Sequence, residues 1–236
     1  MYVKPQGGAL PQPLGILAAM AVEGQAIEAA LAVPQSRVIL GRPVVSGLLK
    51  GHRVLLAYGG VGKVNAALAV AALADAGAAA IVLVGTAGGL AAGLKTGDAV
   101  VATDLIQHDV DVTAFGRPAG FIDGEMAGGS ADADLSDRLV AAVTQIGQTV
   151  RRGRIASGDQ FVASQIRSRE IADQFDAVAV EMEGAAAAQA ARQLGLPLAV
   201  LRWVSDGADD QAADDFPKFL AHIADLDLAA VKAMIV

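Results

Sequence analysis

Cysteine is absent from this 236-residue chain, which excludes disulfides and thiolate metal sites. The 3 histidines, His52, His108 and His222, stand far apart without ligand-like spacing, so no metal is expected. Positive charge is scarce as well. There are 18 basic against 25 acidic side chains, for a net charge of -7. No Lys/Arg cluster could neutralise a run of phosphates, which argues against nucleic acid as a partner. An unbroken apolar span is also missing: the uncharged run from Ala76 to Leu94 is as long as a membrane crossing, but it contains Gly77, Gly85, Gly88, Gly89 and Gly93. A buried strand with a tight loop fits it better than a transmembrane helix, and no membrane partner is expected.

What is present is ample apolar material, 54% of the residues, for one large core. Residues 1–13, rich in proline and glycine, read as a disordered leader, and 14–236 as a single domain. Leu14 to Val22 could mimic the core of a signal peptide. Lys4 is the leader's one positive charge, however, and no cleavage pattern follows, so a cytoplasmic protein is expected.

Strands are predicted at Leu14–Ala19, Arg53–Tyr58, Ile81–Val84, Ala99–Ala102, Arg154–Ser157, Ala177–Val180 and Leu198–Val204. Most are continuously apolar, the mark of strands covered on both faces. Helices are predicted at Lys63–Ala76, Asp134–Ile146, Glu183–Leu194 and Phe216–Ile235, with Gly77 and Gly195 as stop signals. A further short helix is expected at Gly24 to Leu31. Together these give an α/β fold: three α/β/α layers around a mostly parallel mixed sheet.

Acidic residues stand where two such strands end, Glu181-Met182-Glu183 and Arg202-Trp203-Val204-Ser205-Asp206. Ligand crevices of parallel sheets lie at strand ends. Glu183 is either a helix cap or an acceptor for a sugar diol, and Arg202 could pair with Glu181 or Glu183. Asp206 leads an acidic loop with Asp209, Asp210, Asp214 and Asp215, whose charges would favour its protonated form. Glu23 could simply start a helix. Tyr58-Gly59-Gly60-Val61-Gly62-Lys63 lacks the residues of a phosphate loop or a dinucleotide fingerprint and reads as a tight turn. Gly85-Thr86-Ala87-Gly88-Gly89 is either an ordinary turn or a backbone left bare for a flat ring or sugar.

Taken jointly, these segments resemble the 5'-methylthioadenosine/S-adenosylhomocysteine nucleosidase family of the nucleoside phosphorylase superfamily. The resemblance runs from Leu14 nearly to the C-terminus. It rests on Gly15-Ile16-Leu17-Ala18-Ala19-Met20 with Glu23, Gly60-Val61-Gly62-Lys63-Val64, Thr86-Ala87-Gly88-Gly89-Leu90, the His108 to Phe115 segment, Ser157-Gly158-Asp159-Gln160-Phe161, Val180-Glu181-Met182-Glu183 and Ser205-Asp206. The resemblance implies a nucleoside phosphorylase-like fold, no cofactor, and hydrolysis of the bond between adenine and a 5'-thio-substituted ribose, with 5'-deoxyadenosine as a further substrate. It assigns Asp206 as the acid at adenine N7, held by Ser205, and Glu23 as the carboxylate that activates water. Glu183 would bind the ribose hydroxyls, with Met182 against the sugar and Arg202 near the ribose-side carboxylates. Phe161 and Val162 match adenine positions, and Met20, Thr86, Gly88 and Phe216 line the rest. Val112 and Phe115 would complete the 5' pocket of a partner subunit, which implies a homodimer with shared sites.

The chain departs from the family in three places: Thr86 replaces a common serine, Trp203 a smaller residue, and Arg117 stands where an aromatic is usual. Three rival functions remain open. A 6-amino-6-deoxyfutalosine hydrolase would share the chemistry. A purine nucleoside phosphorylase must hold phosphate, yet Glu23 would repel it and no arginine stands between Arg53 and Arg117 to compensate. A non-catalytic nucleoside-binding protein would have no need of the acids at 23, 183 and 206.

Overall fold

A computed structural model describes residues 9–235. The expected leader therefore lies mostly outside the described residues, and its described end differs from expectation. Leu10 is buried, the Pro11 carbonyl meets His52 Nε2 at 3.1 Å, and Gln12 Oε1 accepts from Arg53 N at 3.1 Å. The packed domain thus begins before residue 14, because an apolar side chain and two backbone-level contacts tie this segment down.

In chain order the elements are β1 (Leu14–Ala18), α1 (Ala21–Ala29), β2 (Ala32–Ile39), β3 (Arg42–Leu49), β4 (His52–Tyr58), α2 (Lys63–Asp75), β5 (Ala80–Val84), β6 (Thr86–Gly89) and β7 (Ala99–Gln107). There follow a 3-10 turn (Thr113–Phe115), β8 (Phe121–Ile122), β9 (Glu125–Met126), β10 (Gly128–Ser130), α3 (Ala133–Gln145), β11 (Val150–Ser157), α4 (Gln165–Phe175), β12 (Ala177–Glu181), α5 (Gly184–Gln193), β13 (Leu198–Asp206) and α6 (Ala212–Met234).

The main sheet has the order β10-β7-β11-β12-β6-β13-β5-β1-β4-β3-β2. Its centre, β13-β5-β1-β4, is parallel, and the β2-β3-β4 edge is antiparallel. Strand β13 joins two halves: Leu198–Val200 pairs with β5, while Trp203–Asp206 pairs with β6. A further β7–β13 pairing closes β7-β11-β12-β6-β13 on itself. Helices α1, α3 and α6 cover one face with Ile16, Leu56, Val82 and Leu201, and α2 and α5 cover the other with Leu17, Leu55, Leu83 and Val200. The alanines of α5 at 185–188 and 191 are buried, so this helix lies close to the sheet and to α2.

The α/β/α layering and mostly parallel centre match the sequence reading, and the predicted strands and long helices are present. The sequence reading missed β2 and α4, which are largely polar or exposed, β3, which mixes buried Val44, Val45 and Leu49 with Arg42, Pro43 and Ser46, and the short strands β8, β9 and β10. It left β6 as either a turn or a backbone bared for a ring or sugar. Among the described residues no helix is long and apolar enough to cross a membrane.

The bulk of Trp203 is accommodated under α6, where its Nε1 donates to Asp227 Oδ1 at 2.9 Å. Both residues are fully buried, and among the described residues Asp227 Oδ2 has no hydrogen-bond partner. Burial pushes the Asp227 carboxyl well above its usual range, and the Glu23 charge pushes it further, while the Trp203 N–H and Arg202 oppose. The folded chain thus retains a proton that the unfolded chain releases above about pH 4. That contribution to stability is complete below the unfolded pKa and is lost as pH rises through the folded one. Asp227→Asn keeps an acceptor for Trp203 and cannot ionise. It is expected to melt a few degrees above the native chain at pH 8, at about 2–4 °C per kcal/mol, with the difference closing toward pH 4. Thermal melts across that range check this, and a difference independent of pH would show that Asp227 does not carry the proton.

Candidate active site

The carboxyl ends of β1, β5, β12 and β13 converge on a cavity of about 300 Å³, a volume suited to a small ligand. Its lining includes Met20, Glu23, Thr86, Gly88, Phe161, Val162, Met182, Glu183, Ser205, Asp206 and Phe216, so most of the residues expected from sequence share one space. Arg202 is expected there too, but it lies behind the wall, 1% exposed. Val112 and Phe115 do not line the cavity of their own chain, and Phe115 is 83% exposed. The sequence reading passed over Ala19, Val61, Ala87, Gln160, Val180 and Glu181 as lining residues. Each adjoins a residue already singled out, which is the signal that could have found it.

Glu23 is buried in the first turn of α1. Its Oε2 accepts from Met20 N at 2.8 Å, which anchors the start of the helix, and its Oε1 accepts from Thr86 N at 3.3 Å. Glu23 thus both starts the helix and lines the cavity. Burial raises its pKa, and Arg202 and the surrounding amides oppose the rise. Gly85 is required here. A Cβ on it would lie 2.4 Å from Arg202 Nη1 and 2.5 Å from Glu23 Oε1.

Arg202 pairs with both acids of the Glu-Met-Glu segment. Its Nη2 meets Glu181 Oε2 in a short contact and Glu183 Oε2 at 3.1 Å, while Nη1 donates to Val84 O at 3.1 Å. Glu181 is saturated with donors. It accepts from Ser157 Oγ and from the amides of Glu183 and Gly184, so it caps α5 and fixes Arg202. Glu183 stands at the N-cap, one position before the first turn where the sequence reading put it. Its Oε1 accepts from Gly62 N at 2.8 Å. Burial raises its pKa, Arg202 opposes, and the Glu181 charge adds to the rise, outweighing the expected help of the helix dipole.

Asp206 ends β13. Ser205 Oγ donates to its Oδ2 at 2.7 Å and Ala208 N to its Oδ1 at 2.8 Å. Burial is the largest cause of its raised pKa. Ser205 and Ala208 oppose it, and Asp209 and Asp215 add the acidic-loop effect foreseen from sequence. Gly88 lets β6 pass close by, since a Cβ there would lie 3.1 Å from Asp206 Oδ1. Phe161 and Phe216 stand edge to face, ring centroids 5.7 Å apart, and give the same cavity an aromatic wall. The cavity thus brings together three carboxyl groups in different surroundings: Asp206 bonded by Ser205 Oγ and Ala208 N, Glu23 bonded by two backbone amides, and Glu183 bonded by Gly62 N and Arg202.

Comparison with known proteins agrees with this geometry. The family model described as the phosphorylase superfamily matches residues 13–236. The chain is 36% identical to the 5'-methylthioadenosine/S-adenosylhomocysteine nucleosidase of Haemophilus influenzae, covering 94% of this chain and 98% of that protein. It is also 36% identical to the aminodeoxyfutalosine nucleosidase of Helicobacter pylori, covering 95% of this chain and 98% of that one. Among solved structures, the 5'-methylthioadenosine/S-adenosylhomocysteine nucleosidase of Neisseria meningitidis, in complex with methylthio-immucillin-A, superposes with a TM-score of 0.89 at 36% identity, covering 94% and 97% of the two chains.

Proposed function

The chain belongs to the phosphorylase superfamily, among its nucleosidases, and from that premise we propose that it hydrolyses the N-glycosidic bond of 5'-methylthioadenosine and S-adenosylhomocysteine, and of 5'-deoxyadenosine. Asp206 gives its proton to adenine N7 as the bond from C1' to N9 breaks, so the leaving group departs neutral. Glu183, backed by Arg202, binds the ribose hydroxyls. Water attacks C1' from the Glu23 side and passes its proton to Glu23. The products are adenine and the 5'-substituted ribose.

The observation that carries this reading is Glu23. A phosphorylase needs cations or free amides to hold phosphate on the nucleophile side, whereas here a buried carboxylate occupies that side. The cation next to it, Arg202, is already engaged by Glu181 and Glu183. A carboxylate repels phosphate and suits water. Two carboxyl groups in different surroundings, one holding a proton and one accepting it, also fit the division of labour in hydrolysis of a glycosidic bond.

The equal identity to an aminodeoxyfutalosine nucleosidase supports a second reading in which that nucleoside is the main substrate. A shared-site homodimer belongs to the proposal. The exposure of Phe115 at 83%, and of Val64 and Leu68 one turn apart on α2, leaves apolar surface for a second copy to cover.

The test is adenine release in phosphate-free buffer from methylthioadenosine, adenosylhomocysteine, 5'-deoxyadenosine, aminodeoxyfutalosine and adenosine, on protein whose mass is taken by sedimentation. Phosphate-independent release from the 5'-thio nucleosides by a dimer is the expected result. Strict dependence on phosphate would sink the hydrolase reading, a large preference for aminodeoxyfutalosine would move the substrate, and full activity in a monomer would remove the shared site.

A further inference from the structure

Lys63, Asp109 and Asp159 do not line the cavity, yet they close a ring of hydrogen bonds between segments whose nearby residues, Val61 and Gln160 to Val162, do. Lys63 is the first residue of α2, and its backbone N donates to Asp159 Oδ1 at 2.8 Å. Its Nζ reaches Asp109 Oδ1 at 2.7 Å and Gln107 Oε1 at 3.0 Å. Asp109 Oδ2 in turn accepts from Asp159 N at 3.0 Å. Three separate chain segments meet in this ring. One ends in Gly62, whose amide holds Glu183; the second runs from Asp159 into Phe161 and Val162; the third runs from Asp109 toward Val112 and Phe115. Gln107 extends the ring to α5, since its Nε2 donates to Gln189 Oε1 at 2.8 Å.

We propose that Lys63, Asp109 and Asp159 are positioning residues that lock Gly62, whose amide holds the ribose-binding Glu183, and the adenine loop 158–162 into one unit, so that both ends of the nucleoside site keep a fixed separation. The proposal rests on the nucleosidase reading for the identity of the two ends. An isolated exposed ion pair contributes little, but here each oxygen of Asp109 serves a different segment, so the carboxylate acts as a joint. Burial pushes Asp109 up, but the bonds from Lys63 and Asp159 N outweigh it and leave its pKa below the ordinary value. The joint is therefore charged at neutral pH. A shift of the adenine loop relative to Gly62 would misalign substrate against Asp206 and Glu23, and sub-ångström placement of that kind carries large rate effects.

The ring makes an asymmetric demand on its two aspartates. Asp109 uses both oxygens as acceptors, so Asp109→Asn must lose one contact and is expected to behave like Asp109→Ala. Asp159 uses one side-chain oxygen as an acceptor, so Asp159→Asn is expected to restore most of what Asp159→Ala loses. The measurements are KM and kcat for methylthioadenosine, with its Kd taken by calorimetry in the Asp206→Asn background, where turnover is suppressed. Asp109→Asn, Asp109→Ala, Lys63→Met and Asp159→Ala are each expected to raise KM and Kd on the order of tenfold. Lys63→Met combined with Asp109→Ala is expected to add little to either alone, since both break the same joint. Unchanged KM and Kd in Asp109→Asn, or equal losses in Asp159→Asn and Asp159→Ala, would overturn the proposal. A smaller fraction of binding-competent sites, with kcat per site, KM and Kd unchanged, would show a merely structural role. A native chain that binds the nucleoside but does not release adenine would refute the nucleosidase reading, while the Kd comparison still decides the role of the ring.

Discussion

Asp206→Asn is expected to lower kcat for adenine release by about 10²- to 10⁴-fold, the range for loss of a positioned proton donor, and to leave KM within a few-fold of native. The side chain keeps its size and its surroundings can accept the change. Ala208 N still has a carbonyl oxygen to bond. Ser205 Oγ stands 3.3 Å from Ala87 O, so its hydroxyl proton can turn to that carbonyl and its lone pair can accept from the new amide nitrogen. No buried donor is stranded, and the fold and pocket persist. What is lost is the proton that makes adenine a neutral leaving group. The acid works only while protonated, and burial raises its pKa, so native activity should decline as pH rises through that value. The variant should lack this high-pH decline. Steady-state rates across pH, with nucleoside binding measured in parallel, check both statements, and near-native kcat would remove Asp206 from its role.

The parts of the fold legible in sequence were those whose side chains report burial on two faces. Strands β1 and β5 are continuously apolar, β12 and β13 are so up to Glu181 and Arg202, and all four show themselves directly. The β2–β3 hairpin does not, because β2 lies at the sheet edge and is almost wholly exposed, with Pro34, Gln35, Ser36 and Arg37 in its middle. Helix α4 carries arginines and acids around its few buried residues, Ser168, Ile171 and Phe175, so its apolar stripe is too thin to stand out. Strand β6 has no bulky side chain at all, and its pairing with β12 and β13 is a backbone property.

The same division runs through the site. Carboxylates at strand ends are visible as letters in a sequence, and the sequence reading placed Glu23, Glu183 and Asp206 among the residues that line the cavity. The groups that hold them in place are mostly amides: Met20 and Thr86 N on Glu23, Gly62 N on Glu183, Ala208 N on Asp206. Every residue but proline has an amide, so composition carries no trace of where one points. Arg202 was foreseen as a partner for Glu181 or Glu183, but that it serves both, and that Glu181 is taken up entirely in holding it and α5, follows only from the three-dimensional arrangement.

Glu23→Gln is expected to lower kcat at least about a hundredfold, by a mechanism separable from that of Asp206. Both oxygens of Glu23 face backbone donors, Met20 N at 2.8 Å and Thr86 N at 3.3 Å. A glutamine must turn its NH₂ toward one of them, and the longer Thr86 contact is the weaker to give up. Arg202 retains Glu181 and Glu183, so the loss of one nearby charge leaves it paired. The base works only when ionised, and burial raises its pKa against Arg202. Native activity should therefore fall as pH drops through that value, and the variant should lose this low-pH limb while keeping the high-pH one. A second comparison separates the two roles. A 5'-methylthioriboside of 4-nitrophenol has a leaving group that departs without protonation. Asp206→Asn should recover most of its deficit on that substrate, whereas Glu23→Gln should not, because attack by water still needs a base. Recovery of both variants would mean that Glu23 serves the leaving group rather than the nucleophile, and a Glu23→Gln enzyme with native turnover of methylthioadenosine would refute its part in choosing water.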